Sequence, residues 1–137
     1  MQTVLDKIKH LKGAYTGKKI DTEAVILYQR KLKLNNMPPL PQDWITFLHA
    51  YNSLSYDGVN LFGLHPRDET DMDILYENIL IEQIPHETLL ILGMDELDYL
   101  AWDEEAKAYQ RIDKGSLEVL NTYKNCKIAL SDFLSLE

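Results

Sequence analysis

The strongest constraint on the fold lies in residues 40–52, Leu40-Pro-Gln-Asp-Trp-Ile-Thr-Phe-Leu-His-Ala-Tyr-Asn52, where Trp44, Phe47, Leu48 and Tyr51 recur at i, i+3, i+4 and i+7. That spacing places three aromatic rings and a leucine on one helical stripe, a surface that has to be buried. Pro41 suits the first helical position, where its missing N–H removes no bond, and Asp43 puts negative charge near the positive end of the dipole. Asn52-Ser53 supplies helix-stop chemistry, because asparagine tolerates a left-handed backbone. Residues 59–64 read as a strand with Gly63 near its end. The core is therefore expected to be this helix against a sheet.

Before this stretch, Val4, Leu5, Ile8 and Leu11 predict a short amphipathic helix, and Gly13 and Gly17 flank a loop. Asp21 or Thr22 can cap a helix through Ala24, Val25, Leu27, Tyr28 and Leu32, whose basic last turn (Arg30, Lys31, Lys33) complements the negative end of the dipole. Pro38, Pro39 and Pro41 then make a firm break. After it, Ser55-Tyr-Asp-Gly58 reads as a turn, and Thr70 or Asp71 as the cap of a helix with apolar Met72, Leu75, Tyr76, Ile79 and Leu80.

Residues 88–93 form a continuous apolar run, expected as a strand buried on both faces. Further strands are expected over 99–102, 108–112 and 117–123, with turns at Asp95-Glu96, 103–107 and Asp113-Lys-Gly-Ser116, and a closing helix over 128–136. Helices first, then a strand meander, then one helix predict an α+β fold with a mainly antiparallel sheet. At 137 residues the chain is expected to form a single domain over 1–137.

Charge is unevenly spread. Residues 1–40 carry eight Lys/Arg against three Asp/Glu, a net +5; residues 41–106 carry one, Arg67, against fifteen, a net −14; residues 107–137 carry five against four. An acidic middle argues against a nucleic-acid footprint and suits a basic protein partner. The single cysteine, Cys126, excludes an internal disulfide and reads as a small packed residue in a reducing compartment. No apolar run is long enough to span a bilayer, and residues 1–7 lack a secretory apolar segment, so a cytoplasmic location is expected.

Residues with possible chemistry each have a plainer role. His10, His49, His65 and His86 show no metal-ligand spacing, and His49 lies off the apolar stripe as a half-exposed residue. Asp68, Asp71 and Asp73 fail the calcium-loop pattern, because its sixth position would be Asp73 rather than glycine; they suit a helix N-terminus. Asp95, Glu96 and Asp98, and Asp103, Glu104 and Glu105, could pair as acid and base in a hydrolase, but fit solvated hairpin tips better. Trp44, Tyr99, Trp102 and Tyr109 are read as core packing rather than ligand stacking. No glycine-rich phosphate cradle or nucleophile elbow occurs, and no cofactor or metal is expected.

The ordered motifs resemble a known family. Leu40-Pro41-x-Asp43-Trp44-x-x-Phe47-Leu48-x-x-x-Asn52 resembles the helix signature of the SMI1/KNR4 family, also called the SUKH superfamily. Asn60-Leu-Phe-Gly63, Leu90-Ile-Leu-Gly93-Met-Asp95, Tyr99-Leu-Ala-Trp102-Asp103, Tyr109-Gln-Arg-Ile-Asp113 and Ser131-Asp-Phe-Leu134 are similar to its later segments in order and spacing. Ser53 and Glu96 stand where that family usually has glycine. The resemblance implies a binding module rather than an enzyme. Many bacterial members look like immunity proteins that neutralise toxins, often nucleases, whereas fungal members are linked to cell-wall synthesis and signalling. The expected partner is a basic toxin domain, met by Asp68, Asp71, Asp95, Glu96, Asp98, Asp103, Glu104 and Glu105. The alternatives are a general scaffold or regulatory domain, and a small enzyme with a scattered site.

Overall fold

The computed structural model describes residues 1–64 and 72–136. Within them the helices are α1 (Gln2–Lys9), α2 (Thr22–Leu34), α3 (Gln42–Ala50), α4 (Ile74–Leu80) and α5 (Cys126–Phe133). The strands are β1 (Tyr15–Thr16), β2 (Leu54–Tyr56), β3 (Val59–Leu61), β4 (Leu89–Met94), β5 (Asp98–Asp103), β6 (Ala108–Asp113) and β7 (Val119–Tyr123). They form one sheet in sequential order, every neighbouring pair antiparallel. The fold is α+β, as the order of helical and strand patterns predicts.

The stripe on α3 is the centre of the core. Trp44, Phe47 and Leu48 are fully buried, and Tyr51 is partly so. Cross-strand partners share a sheet face, so the pairs Trp102–Tyr109 and Tyr109–Tyr123 set one aromatic row across β5, β6 and β7. Trp44 lies against that row, 5.9 Å from the Tyr109 ring, while Trp102 and Tyr109 are 4.9 Å apart. Asp43 ties this layer together: its carboxylate accepts from the Tyr109 hydroxyl and from the Cys126 N–H at 2.9 Å, at the first residue of α5. A helix N-terminus leaves such N–H groups without intrahelical partners, and a carboxylate satisfies them well.

Three buried or half-buried carboxamides act as substitute peptide groups. Asn52 accepts from the Leu64 N–H at 2.8 Å and donates to the Leu64 carbonyl at 3.1 Å. Asn78 accepts from the Ile91 N–H at 2.9 Å and donates to the Ile91 carbonyl at 2.8 Å. Gln29 does the same for Leu40, at 2.8 and 3.2 Å, and so fixes the start of α3 against α2. Each reaches both groups of one residue that the sheet or helix ladder leaves open, and an unpaired buried backbone group costs about 1–3 kcal/mol. Gly63 completes the first of these clamps. A Cβ there would land on Asn52 Oδ1 and Ser53 Oγ, and 2.6 Å from the Ser53 nitrogen.

Several local expectations are corrected. The left-handed residue after α3 is Ser53, at φ 66°, so Asn52 contributes its side chain rather than its backbone. The segment from Ser55 is already strand, and only Asp57 and Gly58, at φ 47° and 81°, make the turn. Strand β1 joins the sheet where a loop was expected. Asp73, not Thr70 or Asp71, caps α4, accepting from the Tyr76 N–H at 2.9 Å; residues 70 and 71 lie outside the described residues. The face that α4 buries is Ile74 and Asn78, whereas Tyr76, Ile79 and Leu80 are exposed, because the Asn78 clamp sets the helix phase. α5 begins two residues early, with Asn125 as its cap, and ends at Phe133.

Two strands carry an extra residue. Leu92 is unpaired in the β4–β5 ladder, its carbonyl accepting from the Phe62 N–H at 2.8 Å. Leu120 is the extra residue of β7, at the sheet edge.

Candidate functional site

The acidic turns are the candidate surface, and the strand pairing decides which of them meet. Asp95, Glu96 and Asp98 form the β4–β5 tip, whereas Asp103, Glu104 and Glu105 form the β5–β6 tip. The six residues of β5 separate the two by about 17 Å, so they are two sites rather than one. Asp68 and Asp71 lie outside the described residues.

At the β4–β5 tip the carboxylates first build the turn. Asp95 accepts from the N–H groups of Leu97 (3.0 Å) and Asp98 (2.8 Å), the local bonding that suits aspartate to turns. Arg111 then reaches in from β6, 2.9 Å from Asp98 Oδ2 and 3.3 Å from Asp95 Oδ2, with Asp132 of α5 at 3.5 Å. Its guanidinium lies over the Phe133 ring, 4.4 Å from the centroid, where a cation is favoured. Three carboxylates around one guanidinium leave two negative charges over. Asp113 pairs with Asp98 across the ladder, and Lys114 beside it offsets its charge, with its N–H on the Leu97 carbonyl at 3.0 Å and its ammonium over the Tyr99 ring. The Ser116 N–H, followed by the Ser116 hydroxyl, holds Asp113 below the usual carboxylate range. Beyond this cluster the Glu96 side chain has no partner among the described residues, and Leu97 is 70 % exposed between Glu96 and Asp98.

At the β5–β6 tip the charges are more fully used. Asp103 accepts from the N–H groups of Glu105 (3.0 Å) and Ala106 (3.2 Å) and from Gln110 at 3.2 Å. Glu104 accepts from Trp102 Nε1 at 2.7 Å and pairs with Lys107. Burial alone would raise Glu104, but Lys107 and the indole N–H hold it below the usual range. Only Glu105 points outward without a partner among the described residues.

Sequence reasoning therefore placed the acids on turns but missed Arg111, Asp132 and Leu97. Arg111 had one visible signal, its i+2 spacing from the core residue Tyr109, which puts both on the same face of a strand. Leu97 was visible as the one apolar residue inside Asp95-Glu-Leu-Asp98. Among the described residues no group of three or more His, Cys, Asp or Glu side chains could hold a metal ion, and no helix is long and apolar enough to cross a membrane. Compared with protein-family models and with curated proteins, the chain matches none.

Proposed function

We propose that the chain is a non-enzymatic binding module that neutralises a basic protein partner, best read as a toxin with a nuclease-like cationic face, by covering that face with its β4–β5 tip. The observation that carries this reading is the charge left over around Arg111: three carboxylates on one guanidinium, with Glu96 and the exposed Leu97 projecting beyond them. A nuclease presents positive charge to its phosphate substrate. A fixed acidic surface is complementary to it, which raises the rate of encounter and disfavours acidic competitors. Leu97 adds an apolar anchor inside the charged ring, the arrangement in which a single side chain contributes most to binding. The ordered motifs over 40–52 and 90–113 support membership of the SUKH superfamily, and hence the immunity reading. The lone cysteine supports action in the reducing cytoplasm.

The test is co-expression with a toxic protein encoded by the adjacent reading frame, scored as restored growth. Wild type is expected to rescue, and a Glu96→Lys, Leu97→Asp double variant to fail while still folding. Failure of the wild type to rescue removes the toxin reading. Rescue by the double variant removes the β4–β5 tip as the contact. A scaffold role without a toxin is the second reading, favoured by the opposite charge of the N-terminal third, +5 over residues 1–40.

A further inference from the structure

We infer that the groove between α2 and α3 is a second docking site, for an acidic amphipathic helix of a partner protein, independent of the β4–β5 tip. The two helices enclose an open cavity of about 520 Å³. Val25 and Ile45 line it while remaining buried in the core, and Ile26 stands 50 % exposed in its wall. A half-exposed isoleucine facing an apolar cavity is what an incoming apolar side chain would cover. Gln29 holds the groove open at a fixed width, because both groups of its carboxamide are used on Leu40, just before α3.

Length and charge select the occupant. The lining positions on α2 run from Thr22 to Arg30, about 12 Å of helix axis, and those on α3 are Gln42, Ile45 and His49, one stripe at i, i+3 and i+7. A partner helix with anchors at i, i+3 and i+7 spans about 10.5 Å, which fits that length. Arg30 lines the cavity, and no ion pair joins it to a carboxylate of the described residues. Lys33 lies one turn further along the same side of α2, and Lys18 and Lys19 precede its N-terminus. Lys18 and Lys19 are offset by Asp21 and Glu23, so the positive charge lies at the Arg30 and Lys33 end of the groove; there it fits a glutamate-flanked anchor and repels a basic helix, the reverse of the preference at the β4–β5 tip.

The test uses fluorescence anisotropy of the intact chain with a fluorescein-labelled helical peptide of about 15 residues, leucines at i, i+3 and i+7 and glutamates elsewhere. Binding is expected, weaker by about fivefold in Arg30→Glu, the scale of an exposed charge pair reversed, and lost in Ile26→Asp. Both positions are exposed, so thermal unfolding of the variants checks that the fold is kept. Glu96→Lys is expected to leave peptide affinity unchanged, which separates this site from the tip. Equal binding of the lysine counterpart peptide, unchanged affinity in Arg30→Glu, or no binding of the acidic peptide would each overturn the inference. Light scattering provides the remaining outcome: a concentration-dependent dimer abolished by Ile26→Asp would make a second copy, not a partner helix, the occupant.

Discussion

The carboxamide clamps and the acidic tips do opposite things with similar side chains. Asn52 and Asn78 are neutral and buried, and both carboxamide groups of each are committed to the backbone, with Nδ2 also donating to the Lys18 and Ile74 carbonyls respectively. The β4–β5 tip is charged and half open, and three carboxylates surround the guanidinium of Arg111. These buried carboxamides leave nothing over for a partner, because an unsatisfied one is costly. A solvated turn tolerates a surplus of charge at small cost in stability. Stability should therefore reside in the clamps and partner choice in the tips.

Four measurements can break or sharpen that division. The largest effect is expected at Gly63→Ala, where the added methyl displaces Asn52 and Ser53 together; a loss of about 4 kcal/mol in urea unfolding is anticipated. Asn78→Ala should cost about 3 kcal/mol, since it leaves the Ile91 N–H and carbonyl buried without partners. Arg111→Met keeps an unbranched apolar stem but removes the cation over Phe133 and leaves Asp95, Asp98 and Asp132 facing one another; about 1–2 kcal/mol is expected, recovered in part at high salt. Glu96→Lys and Glu105→Lys should each change stability by less than about 0.5 kcal/mol, while slowing association with a basic partner measured by stopped flow. If either glutamate variant destabilised the fold as much as Asn78→Ala, the division would collapse.

A pH scan draws the same contrast. Burial, reinforced by Asp73 for Tyr28 and by Asp43 for Cys126, holds these buried protons above their ordinary values, and Tyr109 behaves likewise beside Cys126. Groups raised in the folded state give stability that is complete below their unfolded values and declines above them, so unfolding free energy should fall once pH passes about 9. Glu104 and Asp113 are lowered, so their contribution is present above the usual carboxylate range and fades as pH drops through it. Both are partly exposed, and this acid limb should be the shallower one. A steeper acid limb would place more stability in the tips than their geometry allows.

Much of the architecture was legible because it is periodic. The Trp44, Phe47 and Leu48 stripe and the apolar run of β4 each announce their burial by spacing alone. Asn78 was not legible, since a polar residue in a helix reads as solvent-facing until its strand partner is known. That pair of bonds to Ile91 set the phase of α4 and left Ile79 and Leu80 exposed against expectation. β1 has two residues and β2 three, too few to show a period. Asp95, Glu96, Glu104 and Glu105 lie in turns as read, but Asp98 and Asp103 are the end residues of β5, and the link of the acids to Arg111 depends on strand register, which spacing within one segment does not reveal.

The extra residue Leu120 has a consequence for how this molecule behaves in a crowd. A sheet of this kind ends in two exposed rows of backbone groups, each able to recruit another chain. At one end β1 is only two residues long and offers almost no template. At the other, β7 is longer and has Val119 and Leu120 about half exposed, but the bulge interrupts the straight row that a new strand would need. Neither edge thus offers a long straight template to an added strand, and a deletion that straightened β7 is expected to create one.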